Sequence, residues 1–174
     1  EAAGARVGMA RDGDEAIAGD DYPPQGCDGP PFRDVNGDGL AGFGPGLPEG
    51  TLARDELQAR IDLANVARAD LLLSIHINSF VDADGAPIEI AASQTFYTDE
   101  TTWGASATAD LAADVQAGTV AGLSEAPYER QDRGTEAKNF YIVAPPLLKT
   151  TSARPDPWKQ PTRGALMPAV LSEV

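Results

Sequence analysis

The 174 residues contain one histidine, His76, in the run "DLLLSIHINSF" at residues 70–80. An imidazole serves as a proton carrier near neutral pH or as a metal ligand. Residues 70–77 are largely apolar and read as a strand covered on both faces. Alternation puts Leu72, Ser74, His76 and Asn78 on one face and Leu71, Leu73, Ile75 and Ile77 on the other. His76 then ends a central strand, at the sheet edge where open α/β proteins bind ligands. Glu173 closes a second apolar run, "PAVLSE" at residues 168–173. A carboxylate at such a strand end can serve as a general acid or base. A third cluster is "DVNGDG" at residues 34–39. Asp34, Asn36 and Asp38 offer oxygens at the first, third and fifth positions of a calcium loop, the Leu40 carbonyl offers one at the seventh, and Gly39 permits the sharp turn between. The twelfth position, where a glutamate normally closes the loop, is Pro45, so Glu49 or Asp28 would have to complete the shell. Each cluster has a plainer reading: a structural histidine with satisfied nitrogens, a solvated glutamate, and an Asx-rich turn that binds nothing.

These groups need elements to hold them. Residues 51–69 predict a helix, with Thr51 as its cap, Asp55 and Glu56 early where the dipole favours negative charge, and Leu57, Ile61 and Ala64 on one face. A second, Ala-rich helix is predicted over residues 103–122. Short strands are predicted at residues 5–11, 70–77, 139–144 and 168–173, with residues 1–3 as the tail of a preceding helix. Strands alternating with helices predict an α/β sheet with helices on its faces. Residues 19–50 are dense in Gly, Pro and Asp and read as a long insertion, and residues 145–163 as a Pro-rich loop.

Composition narrows the partners. Asp and Glu number 27 against 13 Lys and Arg, a formal net charge of −14. A nucleic-acid phosphate backbone needs a cationic face, which argues against that partner. No apolar run approaches the roughly 18 residues of a membrane span. Cys27 is alone, so cysteine usage does not reveal the compartment. Both ends of the chain read as cut, and oligomeric state is left open.

Four segments in order carry a resemblance. "R60-x-x-x-A64-N65" followed by "ADLLLSIHINSF", "RGTEAKNFYIV" at 133–143, "PAVLSE" at 168–173 and "GARVGMAR" at 4–11 resemble the zinc-dependent N-acetylmuramoyl-L-alanine amidases of bacterial cell-wall metabolism. The resemblance implies a mixed, mostly parallel sheet with helices on both faces. It makes residues 1–174 one partial catalytic domain whose first strand and most of whose first helix lie upstream. It implies that His76 is one of the zinc ligands, with the others upstream of Glu1, and that Glu173 is the catalytic acid/base. It further implies that Asn78 and Arg133 contact substrate, that Zn2+ is the cofactor, and that peptidoglycan is the partner at an extracellular or cell-envelope location; the loop at Asp34, Asn36, Asp38 and Leu40 separately makes Ca2+ a second candidate. On this reading a zinc-activated water cleaves the amide between N-acetylmuramic acid and L-alanine of the stem peptide. This chain alone is expected to be nearly inactive. Two other readings stay open: a non-catalytic, calcium-stabilised wall-binding module on the same scaffold, and a different zinc peptidase or deacylase.

Overall fold

The structure is a computed structural model that describes residues 4–10, 33–42, 45–48, 50–77, 80–81, 84, 86–88, 91–100, 105–124, 131–145 and 163–174. Among them run α1 (Thr51–Val66), β1 (Leu72–His76), β2 (Phe80–Val81), β3 (Pro87–Ile88), β4 (Ala92–Tyr97), α2 (Ala105–Leu123), β5 (Gln131–Ala137) and β6 (Ala169–Glu173). Four strands form one sheet in the order β1-β6-β4-β5, and β2 and β3 form a separate antiparallel pair. In the large sheet β1 lies parallel to β6 and β4 parallel to β5, while β4 and β6 are antiparallel. The sheet is therefore mixed and mostly parallel, as the sequence resemblance implies.

Side-chain alternation sorts the sheet into two faces. Leu72, Phe96, Ala169 and Leu171 share one, and they pack with Leu57 and Ile61 of α1 and with Tyr141, Ile142, Val143, Ala165 and Met167. On the other face α2 packs on β4, β5 and β6, where the sheet carries the polar residues Ser93, Thr95 and Ser172. There Thr95 Oγ1 donates to Gln116 Oε1 at 2.9 Å, and Gln116 Nε2 donates to Asp132 Oδ1 at 2.6 Å. Thr95 Oγ1 also lies 3.4 Å from Ser172 Oγ; Thr95, Gln116 and Ser172 are all buried, so these bonds offset their desolvation.

The position of β1 differs from expectation. It pairs with β6 alone among the described strands and so lies at the sheet's edge, not its centre. Because α2 packs on β4, β5 and β6, the β1 face carrying Leu71, Leu73, Ile75 and Ile77 is open, with Ile75 67% and Ile77 91% exposed. An apolar run is compatible with a two-sided strand but does not specify one. The predicted strand at residues 5–11 is also corrected. Residues 5–10 are exposed and outside any ladder, because a short extended segment is held as a strand only by a paired neighbour.

Residues 139–144 form a buried turn rather than a strand. The Phe140 carbonyl accepts from the N–H groups of Val143 (3.1 Å) and Ala144 (3.0 Å). Tyr141 to Ala144 are each 4% exposed or less. A short apolar run satisfies the same burial in either conformation. Helix α1 begins after Gly50, whose φ of 78° makes the turn that a side-chain cap was expected to make. Thr51 instead lies in the helix, and its hydroxyl donates to the Pro48 carbonyl at 2.9 Å. The helix stops three residues short of its predicted end. Arg68, at φ 50°, donates to the Asn65 carbonyl and Ala69 to the Ala64 carbonyl, a left-handed closure that forbids further helix. Of the second predicted helix, residues 103–104 lie outside the described residues. So do residues 1–3, 146–162, and the parts of 19–50 not given above.

Candidate active site

The polar end of the α1 side is built by register. Strands β1 and β6 run parallel with His76 opposite Glu173, each the last residue of its strand. Same-register residues of neighbouring strands present their side chains to one face about 5 Å apart. His76 and Glu173 therefore share the α1-side face at the C-terminal edge. His76 is exposed and Glu173 half-buried. The Val174 N–H donates to the His76 carbonyl at 3.0 Å, which extends the ladder past both residues and fixes their spacing.

The row continues across the sheet. Gln94 of β4 is opposite Glu173, and its Nε2 donates to Glu136 Oε2 of β5 at 2.9 Å. Beside Gln94 the ladder shifts: Ser93 pairs with Asp132 and Thr95 with Thr135, so Arg133 and Gly134 together face one residue. This is a β-bulge, a device that redirects side chains at sheet edges. Gly134 adopts φ 68°, and Asp132 Oδ1 accepts its N–H at 2.8 Å. The "RG" pair of the sequence is thus a bulge in the same row as His76 and Glu173. An added Cβ at Gly134 would meet nothing within 4 Å. Gly134→Ala is therefore expected to carry only the cost of a left-handed alanine, about 1 kcal/mol. Urea unfolding of the variant measures it.

Beside His76 is an apolar cavity of about 320 Å³, lined among others by Leu57, Phe140, Ile142, Leu171 and Lys138. Lys138 Nζ stands 4.8 Å from the ring centroid of Phe140 and 5.2 Å from that of Phe96, a cation over two aromatic faces. The segment leading into β6 is pinned by α1. Asn65 Nδ2 donates to the Gly164 carbonyl at 3.1 Å, and its Oδ1 accepts from Leu166 N–H at 3.0 Å. The asparagine of the "R-x-x-x-A-N" pattern thus sets where β6 begins and, through it, where Glu173 ends.

Of the residues singled out in the sequence, His76, Glu173 and Arg133 come to one row, and Asn78 lies outside the described residues. Asp34, Asn36, Asp38 and Leu40 form a separate loop near the start of α1. Sequence reasoning passed over Gln94 and Lys138, and read Asp55 as an acid favoured near a helix start. Neither Gln94 nor Lys138 falls in a pattern that distinguishes it from a surface residue before the register is known.

The family model for N-acetylmuramoyl-L-alanine amidase matches residues 1–174. The chain belongs to this family. No curated protein and no solved structure matches it. Membership of the amidase family makes the chain a hydrolase of cell-wall peptidoglycan in general terms, and it puts the resemblance seen in four segments on the whole length. None of the amidase's described helices is long and apolar enough to cross a membrane.

A catalytic zinc takes three protein ligands and keeps one position open. Here His76 is the only imidazole, and no three His, Cys, Asp or Glu side chains among the described residues are grouped to hold a metal ion. The described part of the amidase does not by itself fit a complete zinc centre.

Proposed function

We propose that this amidase cleaves the amide joining the lactyl group of N-acetylmuramic acid to L-alanine of the stem peptide, outside the cytoplasm. The observation that carries the reading is the placing of His76 and Glu173 side by side at two parallel strand ends, within a chain that the amidase family covers throughout. Glu173 takes the proton of the attacking water and returns it to the leaving amine of alanine. His76 is the one imidazole the chain offers to the family's zinc. The apolar wall of Leu57, Phe140, Ile142 and Leu171 receives the methyl groups of the lactyl and alanyl units, and Lys138 faces a stem-peptide carboxylate. Arg133, and Asn78 by sequence position, are further substrate contacts.

The end groups released from purified peptidoglycan by the full-length gene product test this. Amide cleavage at the proposed bond frees the amino group of L-alanine and creates no reducing sugar end. Labelling of free amines followed by hydrolysis is expected to recover labelled alanine. New reducing ends, or a labelled residue from within the stem peptide, would reassign the enzyme to a glycosidase or a peptidase. Binding to the wall with no new end groups would favour the non-catalytic module.

A further inference from the structure

The loop at residues 33–40 and helix α1 meet around a carboxylate that their own bonds leave half used. Asp55 is fully buried. Its Oδ1 accepts from the N–H groups of Val35 (2.9 Å) and Asn36 (3.0 Å), which fixes the side chain against the loop. Its Oδ2 is buried with no hydrogen-bond partner. A buried carboxylate oxygen in this state is costly unless something completes it. Burial raises the pKa of Asp55 against the lowering effect of those two N–H bonds, and the charges of Asp34 and Asp38 raise it further. Arg54 Nη2 lies 3.7 Å from Asp38 Oδ2.

We propose that a calcium ion binds between this loop and α1, taking Asp55 Oδ2 together with oxygens of Asp34, Asn36, Asp38 and the Leu40 carbonyl. The donors are all oxygen, which suits a hard cation and not zinc. Asp55 supplies, from the helix that follows the loop, the acidic oxygen that Pro45 does not supply at the twelfth position. Asn36 is buried, its Oδ1 accepting from Asp38 N–H at 2.8 Å, so one amide oxygen is already inside the loop. Asp34 accepts from Gly37, Asp38 and Gly39 N–H groups, at 2.7, 3.1 and 2.8 Å. The carboxylates are not preassembled as a metal cluster, so Asp34 and Asp38 rearrange on binding. That rearrangement, and the lack of a bidentate glutamate, place the affinity in the weak class of roughly 10⁻⁴–10⁻³ M.

The site is separate from His76 and Glu173, so its failure leaves the amidase reading intact. Calorimetric titration of the 174-residue chain with calcium chloride tests it, alongside thermal unfolding with about 5 mM calcium chloride or with chelator, a concentration above the expected dissociation constant. One saturable site is expected, with a calcium-dependent rise in Tm that chelator reverses. Asp55→Asn is expected to weaken binding at least tenfold. Because Asp55 is buried, Asp38→Asn on the partly exposed loop provides a second variant, also expected to weaken binding, whereas His76→Ala binds calcium as the parent does. No binding heat and no Tm shift at that concentration would overturn the proposal. So would unchanged affinity in either acidic variant that folds.

Discussion

Glu173→Gln in the full-length gene product is expected to lower amide hydrolysis on the order of 10²–10⁴-fold, the range supplied by a positioned proton-transfer group. Glutamine keeps the size of the side chain and removes only its ability to take and return a proton. Glu173 sits at the end of β6, half-buried, with its backbone held in ladders to β1 and β4. The change should therefore leave the sheet intact. The loss should fall on kcat, with KM little altered, because the carboxylate acts on protons in flight. A variant that unfolds at the parent temperature and keeps more than about a tenth of the parent rate would remove Glu173 from the acid/base role.

Gln58→Leu is expected to destabilise the chain by about 3 kcal/mol, the largest single effect on folding foreseen here. Gln58 is fully buried. Its Nε2 donates to the Arg163 carbonyl at 2.9 Å and to Asp62 Oδ1 at 3.0 Å. Its Oε1 accepts from the Tyr141 hydroxyl at 3.1 Å and the Arg163 N–H at 3.3 Å. One amide thus ties α1 to the 139–144 turn and to the segment before β6. Leucine fills the volume but replaces none of these four hydrogen bonds, each worth about 0.5–1.5 kcal/mol net. The Arg163 side chain holds Asp62 and donates to the Val35 carbonyl at 2.6 Å, so the loop around Asn36 would loosen as well. Urea unfolding of parent and variant measures the difference. A change below about 1 kcal/mol would show that the network relaxes or rehydrates without penalty.

How much of this was legible in the sequence depended on whether the signal was local. Helix α1 and strand β6 were, because apolar periodicity and the "PAVLSE" run are properties of neighbouring residues. The pairing of His76 with Glu173 was legible only through the family resemblance, since register between strands almost a hundred residues apart leaves no local trace. Strand β4 was missed. Its "ASQTFY" has buried polar residues at Ser93, Gln94 and Thr95, and Gln116, Glu136 and Ser172, contributed by other elements, make that burial tolerable. The edge position of β1 was hidden for a related reason: an apolar strand reads the same whether a helix covers its second face or not. Asp55 looked like an ordinary acid near a helix start. Its burial and its free Oδ2 arise only when the distant loop folds onto it.

The claim that His76 and Glu173 serve one reacting centre is tested most directly by a double-mutant cycle on peptidoglycan hydrolysis. The cycle compares the full-length gene product with His76→Ala, Glu173→Gln and the double variant. Groups that act as a unit are strongly non-additive. A shared centre requires that the double variant be no slower than about threefold below the worse single variant. Losses that multiply, each variant costing as much in the presence of the other as alone, would show that the two side chains act independently and would contradict a shared site.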